Sequence, residues 1–386
     1  MKRFDCLIVG AGISGLVAAE RLTKNGYTCL IIDKRNHFGG NCYDFKDEAG
    51  VLIHKYGPHY FRASSDRIID YLSQFTDWIP TDYNIRSYTQ GKFWNFPINL
   101  NTFETFLGRP STTEEFEAWV DEKRIPIENP KNSEEVIISQ VGWELYELFF
   151  KGYTKKQWRM DPKELDASVC GRIPIRTNRD DRYLREPFQA LPTEGYTAMF
   201  KRMIDSMGNQ VQIQLDTCWE DIRDQIEHRW LIYTGPIDKY FKDCFGPLPY
   251  RSLRFEHESF SPGQLKERQS ISGKSGHWQP AMQVNHPDES VPFTRIVEIK
   301  HATRQDTPNT TIVREFPADY TEGSEPYYPV PFKESKDLYA KYKTLADNEP
   351  NVSFTGRLAT YRYYNMDQVV GMALIETEKV IERLAT

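Results

Sequence analysis

The first thirty-three residues constrain this chain more than any other stretch. Leu7-Ile8-Val9 is a short apolar run of strand type, Gly10-Ala11-Gly12-Ile13-Ser14-Gly15 reads G-x-G-x-x-G, and a helical pattern of Leu16, Ala19 and Leu22 follows, closed by Gly26. A second apolar run, Thr28 to Ile32, ends in Asp33. Gly10 permits the tight turn, Gly12 has no Cβ and lets a pyrophosphate approach the helix N-terminus, and Gly15 allows helix and strand to pack closely. Ile13 and Ser14 open that helix and join the candidate cofactor contacts. Asp33 is placed to accept from a ribose 2′-hydroxyl, with Lys34 beside it. Glycine pairs alone mark ordinary turns, but strand, turn, helix, strand and acid in this order predict a dinucleotide site.

The remaining composition narrows the partners. A chain of 386 residues holds two or three domains and ample core, and its net charge of −6 argues against nucleic acid or an anionic membrane as a general partner. No apolar run reaches the roughly 20 residues that span a bilayer, and no signal-peptide pattern opens the chain, so a cytoplasmic protein is expected. The 6 cysteines, Cys6, Cys29, Cys42, Cys170, Cys218 and Cys244, show no metal-ligand spacing and read as free thiols. No metal site is expected. Aromatics make up 13% of the residues, many in polar segments, which suits a site that stacks flat rings.

Further along, Gly39-Gly40-Asn41 follows the basic stretch Lys34 to His37 and reads as a second backbone approach to the pyrophosphate. His54 to Arg62, HKYGPHYFR, gathers donors and aromatics around a Gly-Pro turn. Residues 101–155 look helical and separate: Thr112 with Glu115 and Asn132 with Glu135 have capping-box spacing, and Ile137, Val141, Leu145, Leu148 and Phe149 mark an amphipathic helix ending near Gly152. Tyr153 to Arg159, YTKKQWR, has the composition of a mobile loop that holds a base and an anion. In the run RIPIRTNRDDRY from Arg172 to Tyr183, a charge run by itself marks a solvated face. Its alternation with Ile173 and Ile175 predicts a strand with Arg172 and Arg176 on one side, a spacing able to clamp a phosphate. Gly195-Tyr196 opens a helix, Val211 to Leu215 and Trp230 to Tyr233 read as strands, and residues 250–330 predict an antiparallel sheet. The last helix starts at Met366, with Asn365 and Gln368 at capping-box spacing; its N-terminus can point at a cofactor ring that becomes anionic when reduced.

Closely and along nearly its whole length, the chain resembles the bacterial UDP-galactopyranose mutase family. The segments that carry the resemblance are VGAGISG, DKRNHFGGN, HKYGPHYF, KGYTKKQW, GRIPIR, YTGPIDKYF, VPFTRIVEIKH, REFP, EPYYPV and GRLATYRYYNMDQVV. It implies an α/β fold: a discontinuous Rossmann-like FAD-binding domain (residues 1–83, 195–248 and 331–386), an antiparallel β-sheet domain (84–100, 158–194 and 249–330), and a helical domain (101–157) with a mobile loop at its end. It also implies an isomerase that interconverts the pyranose and furanose forms of a nucleotide sugar through attack of reduced flavin N5 on the anomeric carbon. It further implies that NAD(P)H or another reductant is needed to reduce the FAD and that the enzyme is a homodimer.

By the same resemblance, Arg172 and Arg295 stabilise the diphosphate and are the catalytic pair. Tyr183, Tyr328 and Tyr363 contact phosphate, Tyr153 and Trp158 belong to the substrate loop, and Glu315 lies near the sugar. The implied cofactor contacts are Gly10, Gly12, Ile13, Ser14, Gly15, Asp33, Lys34, Gly40, Asn41, Tyr56, Gly57, His59, Gly356, Arg357, Asn365 and Met366. Two positions depart from the galactose pattern: Arg62 stands where a second histidine is usual, and Asn365 where Asp is common. A guanidinium at 62 changes cleft volume and donor number, which makes an N-acetylated galactose a candidate sugar, its carbonyl accepting from Arg62. A local ion-pair swap without effect on substrate is the other reading of Arg62. A dTDP-linked 6-deoxyhexose remains an alternative substrate. A flavin oxidase and an FAD-holding binding module are rival classes, neither of which needs arginines and tyrosines disposed for a diphosphate.

Overall fold

The computed structural model describes residues 3–267, 275–321, 323–330 and 332–386. Residues 268–274, 322 and 331, inside the expected sheet and cofactor segments, lie outside the described residues. Strand Arg3–Val9 is the hub. It pairs in parallel with Cys29–Ile32 on one side and Glu227–Tyr233 on the other; Val211–Gln214 and Val352–Phe354 extend the two flanks into a 5-stranded parallel sheet. Both faces of the hub are covered, which is why its sequence is a continuous apolar run and not an alternating one. Cys6, Ile8, Cys29 and Ile31 face a core shared with helices Ile13–Lys24 and Met366–Ala385, while Leu7, Leu30, Ile32 and Leu231 face a second cluster around Trp219 and Tyr233. Cys6 and Cys29 are register partners inside this sheet, and both are buried free thiols.

A 7-stranded sheet stands beside it, in the order Tyr328–Pro329, Tyr250–Phe260, Thr310–Asp319, Arg295–Val297, Gln283–Asn285, Ile85–Thr89 and Lys92–Phe96. Its neighbours are antiparallel, as the sequence predicts, except that Gln283–Asn285 runs parallel to Ile85–Thr89. Those two strands belong to distant parts of the chain, so no hairpin fixes their relative direction. Between them in sequence lie helices Leu100–Leu107, Thr113–Lys123 and Ser133–Tyr146, whose buried Phe103, Phe116, Ile137, Val141 and Leu145 join the main core. Two small antiparallel sheets complete the fold. One pairs Asp44–Lys46 with Leu52–His54; the other sets Phe188–Pro192 between Phe61–Ala63 and Trp78–Pro80.

Four local expectations are corrected. The helix expected to stop near Gly152 is kinked at Gly142 (φ 76°), passes through a wide turn at Glu147–Lys151 and continues as Gly152–Trp158. The expected mobile loop from Tyr153 is therefore helical through Trp158 and ends at Arg159 in the left-handed region. Gly142 bends because a Cβ there would meet the Lys123 carbonyl at 2.5 Å, and Gly152 is buried against the Pro287 carbonyl, where a Cβ would approach to 2.3 Å. Nor is the run 172–183 a strand. Pro174 removes a ladder donor, and the Asn178–Asp180 turn bends the backbone onto itself. At the caps, Thr112 and Asn132 each accept the N–H three residues on, but the Glu115 carboxylate turns to Arg109 and Ser111 instead of closing a box.

Candidate active site

At the C-terminal ends of the parallel strands the glycine loop forms a backbone cradle. Gly10 sits at φ +107° with a Cβ position only 2.0 Å from Thr234 Oγ1, and a Cβ on Gly15 would lie 2.0 Å from the Gly10 carbonyl. The second glycine pair closes on the first. Gly39 N–H donates to the Ala11 carbonyl at 2.8 Å, and Gly12 Cα lies 2.9 Å from where Gly40 would carry a Cβ. A Cβ on Gly356 (φ +92°) would lie 3.0 Å from Ser14 Oγ. Helix Ile13–Lys24 has no side-chain cap and no acid in its first turn, so its N-terminal N–H groups and positive dipole end remain available to an anion. The Asp33 carboxylate is held by Ala11 N–H (2.8 Å) and Arg35 N–H (2.9 Å). Lys34 turns away to Glu325 at 3.3 Å. This donor set suits a dinucleotide pyrophosphate with an acid for its ribose.

From the cradle the chain opens into a cleft walled on one side by the 7-stranded sheet. Asn41, Tyr56, Gly57, His59, Arg357, Asn365 and Met366 line one part; Arg62, Tyr153, Trp158, Arg172, Tyr183, Arg295, Glu315, Tyr328 and Tyr363 line the rest. The floor is neutral. His59 N–H donates to His54 Nδ1 at 3.1 Å, and His59 Nδ1 donates to the Gly57 carbonyl at 3.0 Å. Burial pulls His54 down to about 4, and burial with the neighbouring His54 pulls His59 to about 3, so neither carries charge at neutrality. Asn365 caps the last helix, its N–H donating to Gln368 Oε1 at 3.0 Å.

The walls are cationic and aromatic. Arg172 stacks its guanidinium 4.8 Å from the Tyr363 ring centre, Arg357 lies 5.2 Å from the same ring, and Tyr328 stacks on Tyr363 at 5.5 Å. Packing around the nearly half-exposed Tyr363 pushes its hydroxyl up, but the charges of Arg172, Arg357 and Arg295 pull further the other way and leave it at about 8. Opposite, Arg295 Nη2 lies 2.8 Å from Glu315 Oε1 and Nη1 donates to Gln283 Oε1 at 3.2 Å. The close approach to Glu315 is an ion pair without hydrogen-bond alignment: both Glu315 oxygens and Arg295 Nε have no hydrogen-bond partner, although Glu315 is 1% exposed. Unmet polar groups that face a cleft are what a hydroxylated ligand satisfies. Arg62 Nε lies 3.4 Å from Glu186 at the cleft edge.

The expected phosphate clamp is only half present. Arg172 faces the cleft, whereas Arg176 donates to the Arg182 carbonyl at 2.6 Å and pairs with Asp180 at 3.5 Å. Tyr60 and Gln157 line the cleft within stretches the sequence marks out, whereas Tyr83, Phe149, Phe150, Gln283 and Asn285 escape a reading by motif. Alternation in Gln283-Val284-Asn285 was the available signal for two of them, since both polar side chains of such a strand share one face. Phe149 and Phe150 read as core because core and cleft wall use the same residue type.

Comparison with known proteins follows the same lines. Residues 148–363 match the family model for UDP-galactopyranose mutase, and residues 8–75 that for an NAD(P)-binding Rossmann-like domain. A probable UDP-galactopyranose mutase of Klebsiella pneumoniae is 35% identical over 100% of this chain and 97% of its own. The chain belongs to the UDP-galactopyranose mutase family. It is therefore an enzyme of the isomerase class on a flavin-type dinucleotide fold. The dTDP-fucopyranose mutase of Escherichia coli is 32% identical, covering 95% of this chain and 96% of its own. Among solved structures, a reduced UDP-galactopyranose mutase superposes with TM-score 0.74 at 18% identity and 99% coverage of both chains. A protein described as a protoporphyrinogen oxidase from Exiguobacterium reaches 0.64 at 13% identity over 99% of this chain and 100% of its own, a likeness of fold alone. The mutase family match takes in Tyr153 through Tyr363 but stops short of Arg62 and Asn365. No helix among the described residues is long and apolar enough to cross a membrane.

Proposed function

We propose that this member of the mutase family interconverts the pyranose and furanose forms of a nucleoside-diphosphate sugar, UDP-galactose first, with FAD as its cofactor in the reduced state. The observation that carries the reading is the convergence of Arg172, Arg295 and Arg357 with Tyr183, Tyr328 and Tyr363 on one cleft beside the dinucleotide cradle. A reduced flavin held in the cradle would supply an electron-rich nitrogen for the anomeric carbon, and NAD(P)H or another reductant would be needed to keep it reduced. The chain's own residues then handle charge. Arg172 and Arg295 grip the diphosphate, whose negative charge grows as the glycosidic bond breaks, and hold it for return. Tyr363, with its hydroxyl near 8, and Tyr183 and Tyr328 donate to phosphate oxygens. Tyr153 and Trp158 cover the base and ribose. Glu315 accepts from sugar hydroxyls, and neutral His59 would face a bound flavin without adding charge to it. Gly10, Gly12, Ile13, Ser14, Gly15, Gly40 and Asp33 would hold the pyrophosphate and ribose of FAD; Asn365 and Met366 would offer its ring a helix N-terminus. In this reading the working unit is a homodimer.

The sugar is the finer question. Arg62 at the cleft edge, paired at 3.4 Å with Glu186, has donors left for a carbonyl oxygen, which favours UDP-N-acetylgalactosamine as a second substrate. A dTDP-linked 6-deoxyhexose is the competing substrate, with the Escherichia coli relative as its support. The test incubates dithionite-reduced enzyme with UDP-galactofuranose, its N-acetyl counterpart and a dTDP-linked 6-deoxyfuranose, and resolves the products chromatographically. Ring-size conversion by the reduced form alone, without stoichiometric flavin oxidation, is expected. Equal conversion by the oxidised form overturns the flavin-nucleophile reading, and a colourless chain that takes up no FAD overturns the whole.

A further inference from the structure

Among the described residues, Lys156 is the cation of the helix Gly152–Trp158 that makes no ion pair, and it does not line the cleft, yet it has the densest polar contacts there. Its Nζ lies 2.5, 2.7, 3.0 and 2.9 Å from the carbonyl oxygens of His286, Asp288, Val291 and Phe293. These carbonyls belong to the loop, residues 286–294, that joins strands Gln283–Asn285 and Arg295–Val297. At the base of that hairpin Asn285 and Arg295 are register partners, and both line the cleft. On the helix side Tyr153, Gln157 and Trp158 line it too. One ammonium thus fastens the helix that carries one cleft wall to the hairpin that carries another.

The neighbours of Lys156 do a different job. Lys155 makes an exposed pair with Glu289 at 3.0 Å, and Arg159 pairs with Asp319 in solvent. Such pairs contribute little. The Lys156 cage is half-buried, and burial lowers its ammonium to about 8 against the opposing pull of Asp288 and Glu289. An ammonium has only three donors, so four carbonyls around it share them and leave no capacity for a ligand. Gly152 adds a second contact with the same loop, packing against the Pro287 carbonyl with no room for a Cβ.

We propose that Lys156 is a positioning residue for the nucleoside-diphosphate site: it sets the spacing between Tyr153 and Trp158 on the helix and Arg295 on the hairpin. The inference rests on the nucleotide-sugar reading above and adds that the helix and hairpin form one recognition unit only while the carbonyl cage is filled. Without the ammonium, the hairpin carbonyls turn to water and the helix loses its register against Arg295.

The test compares Lys156→Met, Lys156→Arg and Lys155→Met in the flavin-loaded protein, using UDP as probe and calorimetric titration as readout, followed by turnover of UDP-galactofuranose. Lys156→Met is expected to keep its flavin and weaken UDP binding by about tenfold or more, with KM rising more than kcat falls, the loss typical of hydrogen bonds to a charged group. Lys156→Arg is expected to recover part of the affinity, and Lys155→Met to bind as wild type. UDP affinity in Lys156→Met equal to wild type overturns the inference while leaving the mutase reading intact. If Lys156→Met does not fold, an unchanged UDP affinity in Lys156→Gln overturns it. A wild-type protein that neither binds UDP nor converts the sugar brings down the mutase reading and this inference together.

Discussion

The cofactor cradle and the substrate cleft lie side by side but are built on opposite principles. The cradle is made mostly of backbone: glycines at 10–15, 39–40 and 356, several with no room for a Cβ, and one uncapped helix N-terminus. The cleft is made of side chains from six or more separate segments, held by stacking, ion pairs and one lysine cage. Damage to the first should abolish cofactor retention outright. Damage to the second should leave a yellow, folded protein that has lost chemistry or selectivity.

The largest effect is expected at Gly15. A Cβ there meets the Gly10 carbonyl at 2.0 Å, and the helix cannot retreat without losing its packing against the hub strand. Gly15→Val should destabilise the protein by about 3 kcal/mol or more and yield colourless protein, read from melting and flavin absorbance. Stoichiometric flavin in that variant would break the contrast between the two regions. Next comes Arg295→Ala. Flavin content should stay at the wild-type level while turnover falls by about 10²–10³-fold, and Arg172→Ala should behave alike; loss of flavin in either would mean the cleft wall also builds the cradle.

Acid should separate the regions in a graded way. His54 accepts a backbone N–H through Nδ1 and is held neutral, with its value lowered by burial to about 4. The unfolded chain binds a proton at that histidine below about pH 6.5 while the folded chain does not, so its contribution is complete above that value. It is lost as pH falls toward 4, by up to about 3 kcal/mol. Denaturant titrations at several pH values check this, and a His54→Gln variant should show a shallower acid loss. The smallest effect belongs to Arg62→His, which should change the ratio of turnover between UDP-galactofuranose and its N-acetyl counterpart by about tenfold or less with flavin and stability unchanged. An identical ratio in both proteins reduces Arg62 to a partner for Glu186.

Legibility from sequence follows the same division. Gly10, Gly15 and Asp33 announce their surroundings because turn, helix start and acid are local events that a few adjacent residues dictate. Arg172 and Arg176 show where this reasoning stops: alternation suggested a shared face, but Pro174 and the following turn send Arg176 to the Arg182 carbonyl and leave Arg172 alone in the cleft. Lys156 is the same lesson in reverse. Within KGYTKKQW it reads as one loop cation among several, and only its long-range contacts with the hairpin carbonyls distinguish it from Lys155.

By itself the amino-acid order determined the dinucleotide cradle, the parallel hub strand and the family, since each depends on short-range backbone chemistry or on motifs in a set order. The tertiary structure alone decided that Arg176 turns away from the cleft while Arg172 lines it, that the expected loop is a helix, and that Gln283 and Asn285 share the cleft with Tyr153. The last two depend on contacts between residues more than a hundred positions apart, such as Lys156 with His286. Local propensity carries no information about such distances; packing of the two sheets and the helical segment around a common core supplies it.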